Sequence, residues 1–321
     1  MRRRRHLSAM SRVLFLAFLG LLLPAWAAAS SVDDKDDAAF VGQGRLLRFD
    51  YANDYFTGTD RYYTQGVGLT YFDPVLRASP LMRLLVALPG APASYGLVVR
   101  QSGFTPSNLS HNEALVGDRP FAGYLFLGHE LVSRDVEKAL TMTAALDAGV
   151  IGQAAGGKWE QVGIHRLAPN NNPPLGWDNQ IRNDLALDYR VRLQKTFAAA
   201  RAADLDGYLD ASVGTLYTNA AIGVVGRAGM IAEGRRRFYF FAGAEQKAVG
   251  YDATLQGGML NRHSPYTLTS EQIERRVSIE NVGFVADWGG FALEAKRVYL
   301  SREFTTQLSH EWVEISAIKR F

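Results

Sequence analysis

Cysteine is absent from all 321 residues. No disulfide can staple this chain and no thiol can act as nucleophile or metal ligand, so packing and hydrogen bonds alone must hold the fold. Also missing, beyond the first thirty positions, is any run of about 18 consecutive apolar residues, which excludes a transmembrane helix. No G-x-S-x-G elbow, H-E-x-x-H pair, Cys/His cluster or glycine-rich phosphate loop is present. A Ser-His hydrolase assembled from distant residues stays open, because triads are spatial, yet no serine is singled out by its neighbours. A cationic surplus is lacking too, once the N-terminus is set aside. The chain holds 35 Lys+Arg against 32 Asp+Glu, but residues 1–29 carry five Arg and no acid, so 30 cations face 32 acids in the remainder, a net charge of −2. The basic pI belongs to the leader and gives no reason to expect a nucleic-acid partner.

That leader is the first thing the chain does have. Arg2 to Arg5 form a basic region, "VLFLAFLGLLLPAW" is an apolar core too short to span a bilayer, and "AWAAAS" offers an A-x-A cleavage site. Residues 1–29 therefore read as a secretory signal peptide that is removed, and residues 30–321 as one exported domain.

The second is alternation in runs of about ten, the signature of a membrane barrel strand. In "RLLRFDY", Leu47, Phe49 and Tyr51 share one face while Arg48 and Asp50 share the other. A soluble antiparallel sandwich has the same period but buries its apolar side. Twelve strands are expected, at 43–54, 64–73, 94–104, 119–133, 138–151, 184–196, 205–217, 222–233, 236–250, 271–287, 290–303 and 308–321. The last ends on Phe321, with Val313, Ile315 and Ala317 on the same face, as a closing strand of an outer-membrane barrel does. The fold class is thus all-β, a twelve-stranded antiparallel transmembrane β-barrel of the bacterial outer membrane. "SPLMRLLVAL" has helical spacing and suggests a short amphipathic helix between strands two and three. With both termini periplasmic, the connections after odd strands face outward, and the longest of these is 152–183, a length that marks functional loops.

Residues with chemical potential gather at the outward tips. "YANDYFTGTDRYYTQG" crowds Asn53, Asp54, Asp60, Arg61 and Thr64 into the first hairpin tip. Hard oxygen donors of this kind suit Ca²⁺; they also make turns, and spacing does not choose between the two. Of six histidines, His6 leaves with the leader, and His111, His129, His263 and His310 have no acidic or metal-ligand spacing around them. His165 lies in the long outward loop, four residues after Gln161, so the two share a face if the segment is helical.

Taken in order, "ANDYFTGTDRYYTQG", "GDRPFAGYLFLG", "GVIGQAAGG", "QVGIHR", "GWDNQIRND" and "ATLQG" resemble the outer-membrane lipid A 3′-O-deacylase family, the LpxR type, over nearly all of the mature chain. The resemblance implies a twelve-stranded barrel and Ca²⁺-dependent hydrolysis of the 3′ acyloxyacyl ester of lipid A in the outer leaflet. Carried over residue by residue, it makes His165 the general base, adds Asn53, Asp54 and Gln161 to the catalytic set, and assigns metal contacts to Asp54, Thr64 and Asn171. It also implies a monomer embedded in the membrane with lipopolysaccharide as partner. There are two departures. The family's basic pair falls on His111 and Asn112, and its acidic metal ligand on Asn171, a neutral amide. These leave as an alternative to the deacylase a non-catalytic lipid-binding or pore-forming barrel on the same scaffold, and a phospholipase acting on glycerolipids is a further one, since a histidine and Ca²⁺ would serve either ester.

Overall fold

The computed structural model describes residues 44–167, 173–231 and 236–321. The signal-peptide assignment, residues 1–29, lies outside them, as does Asn171. Twelve antiparallel strands close into a barrel in which each strand pairs with its sequence neighbours and the first pairs with the last. They are β1 (Leu46–Asn53), β2 (Tyr62–Phe72), β3 (Ala93–Thr105), β4 (Ala122–Asp135), β5 (Leu140–Ile151), β6 (Asp184–Ala199), β7 (Ala203–Gly214), β8 (Tyr217–Met230), β9 (Arg237–Asp252), β10 (Arg276–Asp287), β11 (Phe291–Leu300) and β12 (His310–Arg320). Closure leaves no free edge, so every strand's backbone groups are satisfied within the wall, as a bilayer core requires. No helix among the described residues is long and apolar enough to cross a membrane.

The alternation reads as the sequence implies. Arg48 and Asp50 are buried inside the barrel, whereas Ile222, Val224, Phe240, Val282 and Ile315 stand exposed on its outside. In water such an apolar girdle would drive aggregation; facing lipid it is the stable arrangement. The interior is crossed by ion pairs rather than left open. Arg48 holds Asp50 at 2.7 Å, Lys296 holds Glu314 at 2.8 Å, Arg227 holds Asp206 at 2.7 Å and Arg192 holds Asp210 at 3.0 Å. A cavity of about 230 Å³ remains, lined among others by Tyr63, Arg100, Phe104 and Tyr124.

Two strand ends shift by five residues. β8 starts at Tyr217, not 222, because the Asp188 carboxylate accepts hydrogen bonds from the backbone N–H of Leu216 (2.9 Å) and Tyr217 (3.1 Å) and tightens the hairpin. β10 starts at Arg276, not 271, because Thr269 and Gln272 cap a 3₁₀ turn over Ser270–Gln272. The helix expected in "SPLMRLLVAL" is corrected to a single 3₁₀ turn, Pro80–Leu84, which follows another at Pro74–Ala78. Pro80 sits at the first position of its turn, where helices accept proline; the helix goes no further because the Val86 N–H donates to the Tyr189 hydroxyl (3.0 Å) and the Leu88 N–H to Ser133 Oγ (2.9 Å). The segment still uses its apolar side, with Met82 and Leu85 packing on Leu131 and Ala144.

The long connection after β2, 73–92, lies at the inner end; the other long connections follow odd strands and gather at the outward end by the usual rule for such barrels. Two of them carry helices: α1 (Gly157–Leu167) after β5, and the single turn α2 (Ala253–Gln256) after β9. The motif pair "GDRPFAGY" and "ATLQG" meets there. Arg119 ion-pairs with Glu303, donates to Thr254 Oγ1 at 2.6 Å and lies over the Phe104 ring at 4.3 Å, closing the mouth of the lumen.

Candidate active site

The outer face of the wall, not the lumen, carries the site. Tyr63, Arg100, Phe104 and Tyr124 point into the cavity, so the alternate residues of those strands point outward. Asn53, Gln65 and Gly103 form a row across β1 to β3, with Asn53 paired to Gln65 and Gln65 to Gly103. Helix α1 lies against this patch. Gln101 Nε2 donates to the carbonyl of Ala155 just before the helix at 2.6 Å. A Cβ built on Gly123 would come 3.5 Å from the Gly157 Cα, so small residues permit the close approach. Gly157 itself has no room for more, since its Cβ would meet the Trp177 ring at 2.9 Å.

The helix puts Glu160, Gln161 and His165 on its buried face, so the spacing argument for Gln161 and His165 is borne out. Its sequence suits this, with Glu160 in the first turn and His165 and Arg166 in the last, the signs that the helix dipole favours. From this face a chain of contacts runs to the first hairpin tip. Trp177 Nε1–H donates to Gln161 Oε1 at 2.7 Å. That fixes the amide so that Gln161 Nε2 donates to Asp60 Oδ1 at 3.2 Å. The other oxygen, Asp60 Oδ2, lies 3.0 Å from His165 Nε2. The Nε2–H of His165 can donate to this carboxylate both as the Nε2-protonated neutral ring and as the imidazolium.

The same tip presents Asp54. The side chain of Asn53 accepts from the Tyr55 N–H at 2.7 Å and so caps a 3₁₀ turn, Asp54–Thr57, ended by Gly58 in the left-handed region. Tyr62 follows with φ +62°, a conformation that costs a bulky residue on the order of 1 kcal/mol. It is held by edge contacts to Phe304 and His310. This turn buries Asp54 with only 1% of its surface exposed. Asp54 Oδ2 accepts from the Arg61 N–H (2.8 Å) and Thr59 Oγ1 (2.9 Å), while Oδ1 has no hydrogen-bond partner. Burial pushes its carboxyl up to about 7, against the pull of the Arg61 N–H and with help from the nearby Asp60 charge. Glu160, wedged between helix and wall near Gln65 and Gln101, is likewise pushed up by burial to about 7, and its Oε2 lacks a partner. Both carboxylates act electrostatically on the Tyr51 hydroxyl. Thr64 is adjacent, its hydroxyl 2.7 Å from that of Thr105.

Asn53, Asp54, Thr64, Gln161 and His165 are therefore brought to one patch by the fold. His111 and Asn112 lie in the loop before β4, where the Asn112 carbonyl accepts from Asn179 Nδ2 at 2.6 Å. Among the described residues, no three acidic or histidine side chains form a preformed metal cage. The bare, buried Asp54 Oδ1 is nonetheless the kind of atom that a cation satisfies, and the same hairpin carries the Thr59 and Thr64 hydroxyls as further oxygen ligands, so the residue types fit a hard divalent ion. Three residues of the site have no sequence signal of their own. Asp60 sits in the acidic tip without a spacing that ties it to His165, Glu160 reads as an ordinary first-turn acid, and Trp177 lies ten residues beyond the end of α1.

A search of curated proteins finds no match. Among solved structures, LpxR from Salmonella typhimurium superposes with a TM-score of 0.70 at 22% identity, covering 86% of this chain and 100% of that one. The β domain of the Bordetella autotransporter BrkA gives a TM-score of 0.43 at 10% identity, over 87% and 99% of the two chains. The translocator domain of NalP from Neisseria meningitidis gives 0.42 at 11%, over 98% of each. The profile of the family described as outer membrane protein LpxR matches residues 14–321. With the closed barrel and the apolar girdle already in view, this match settles the matter of kinship and place: the chain is an outer-membrane β-barrel protein and belongs to the LpxR family.

Proposed function

We propose that this protein is a lipid A deacylase that hydrolyses the 3′-linked acyloxyacyl ester in the outer leaflet, with His165 as general base. The observation that carries this reading is the run Trp177–Gln161–Asp60–His165 lying on the lipid side of the wall beside the bare carboxylate oxygen of Asp54. A base facing the lumen would never meet a membrane lipid; one under a helix on the outer wall does.

His165 accepts a proton from a water as the water oxygen attacks the ester carbonyl. Asp60 stabilises the imidazolium that forms, and the last-turn position of His165 favours the same charge. The tetrahedral centre then expels the sugar 3′-oxygen, which takes the proton from His165, leaving a free hydroxyl on the sugar and a carboxylic acid. Gln161, its orientation set by Trp177, keeps Asp60 in place. A Ca²⁺ held by Asp54, with Thr64 and the Asn171 amide as further donors, would supply electrostatic stabilisation of the developing oxyanion. Ion pairs across the lumen support an enzyme over a pore.

The test compares lipid A by mass spectrometry from cells expressing wild type or His165→Ala. Wild type should lose the 3′ acyloxyacyl group and the variant should keep it. Identical spectra with that group intact would refute the reading. Faster cleavage of glycerophospholipid than of lipid A would move the protein to the phospholipase class. Chelation of Ca²⁺ should stop the reaction, and readdition should restore it.

A further inference from the structure

The face of α1 turned away from the wall borders a groove of about 550 Å³, lined by Lys158, Trp159, Arg166, Asp178 and Gln180 among others. Its volume is within the roughly 300–1,000 Å³ of small-molecule sites. Its lining is chiefly apolar, with a few charged and polar groups set into it, as ligand sites commonly are. Trp159 is 65% exposed, an unusual state for so large an apolar ring in water but a common one at the headgroup level of a membrane. Arg166 is exposed, and among the described residues it forms no ion pair. Lys158 Nζ rests 2.5 Å from Asp178 Oδ1, an exposed rim pair of little strength that a better anion can displace. At the floor, buried Gln180 donates through Nε2 to the Trp177 carbonyl at 2.9 Å, leaving Oε1 without a partner.

We infer that this groove is a subsite for a phosphorylated sugar headgroup. Arg166 and Lys158 engage the phosphate, the Trp159 ring packs against the sugar, and Gln180 accepts from a hydroxyl or amide N–H. Charge complementarity points to this occupant. The loop positions of the family's basic pair hold His111 and Asn112, whereas α1 supplies two cations of its own, Arg166 directly after His165 and Lys158 two turns, roughly 10 Å, before it. The helix would then hold a phosphate along its exposed flank, beside the base. Whether the phosphosugar belongs to the reacting lipid rests on the deacylase reading; the subsite itself does not.

The experiment uses the full protein in detergent micelles, with tryptophan quenching as the readout of binding. Probes are lipid A carrying both phosphates, the same lipid A dephosphorylated, and inorganic phosphate alone. The double variant Lys158→Ala/Arg166→Ala alters exposed side chains only and leaves the barrel intact. It should bind bisphosphorylated lipid A on the order of tenfold more weakly than wild type, as loss of charge-assisted contacts implies. Both proteins should bind the dephosphorylated lipid alike, and excess inorganic phosphate should compete only against wild type. Wild type that binds both lipids equally, or a double variant that binds bisphosphorylated lipid A as tightly as wild type, overturns the assignment. If the binding pattern appears and no ester is cleaved, the subsite stands and the catalytic reading falls. Cleavage with unaltered binding by the variant has the opposite meaning.

Discussion

Asp60 offers the most direct test of the catalytic arrangement, because the structure gives it a job that spacing does not. Its two oxygens are divided between Gln161 Nε2 at 3.2 Å and His165 Nε2 at 3.0 Å. Replacing it with Asn preserves shape and removes the charge that stabilises the imidazolium at the moment of proton transfer. A hydrogen bond to a charged partner contributes about 1.5–3 kcal/mol. The Asp60 side chain is about one third exposed, so water screens part of this and the lower half of the range applies. At about 1.4 kcal/mol per decade, Asp60→Asn should slow kcat roughly tenfold to fiftyfold. KM should move little, since the substrate touches His165 and not Asp60. Initial rates of 3′ acyl release from lipid A micelles, followed by mass spectrometry, measure both. An Asp60→Asn enzyme with wild-type kcat, beside an inactive His165→Ala, would show that the base works without its carboxylate, and the orientation argument would fall.

Three other outcomes follow from the same geometry. Trp177→Phe keeps the ring but deletes the N–H that sets the Gln161 amide, and the loss of one neutral hydrogen bond, about 1 kcal/mol, should cut kcat roughly fivefold without loosening the barrel. Glu160 gives a pH signature. Its docked pKa, about 7, lies above the ordinary value near 4.3, so the docked helix binds more protons than the undocked one between those limits. Docking of α1 should therefore be strongest at and below about pH 4 and weaken by about 3 kcal/mol as pH rises to 7. Hydrogen exchange of the α1 amides should show this slope, and Glu160→Gln should abolish it. Finally, Gly157→Ala puts a methyl 2.9 Å from the Trp177 ring, whereas a Cβ on Gly163 meets nothing within 4 Å. The first should displace the helix and lower activity at unchanged barrel stability, while the second should be neutral or stabilise α1 by about 0.5 kcal/mol. Equal effects of the two substitutions on activity would contradict the described packing.

Much of the architecture was legible in the chain. Alternation with charges on one side and apolar residues on the other located all twelve strands, because a wall between lipid and a polar lumen imposes a period of two on every residue it contains. The exceptions have local causes. Tyr189 and Ser133 of the wall take the Val86 and Leu88 N–H groups of a segment whose apolar spacing alone reads as helix, and the Asp188 carboxylate shortens a hairpin by binding two backbone amides at once. Gln161 and His165 could be paired because a helix relates residues four apart; no such rule links either to Asp60, about a hundred positions earlier.

The sequence by itself determined the strands, their number and the side of the wall on which charges lie, since those follow from a repeat of two residues and from what water and lipid each tolerate. Only the tertiary structure decided that α1 docks on the outside of the barrel, that Asp60 stands between Gln161 and His165, and that one oxygen of Asp54 is left bare. Those facts depend on how separate loops meet in space, and closing a barrel brings together residues that no periodicity along the chain connects.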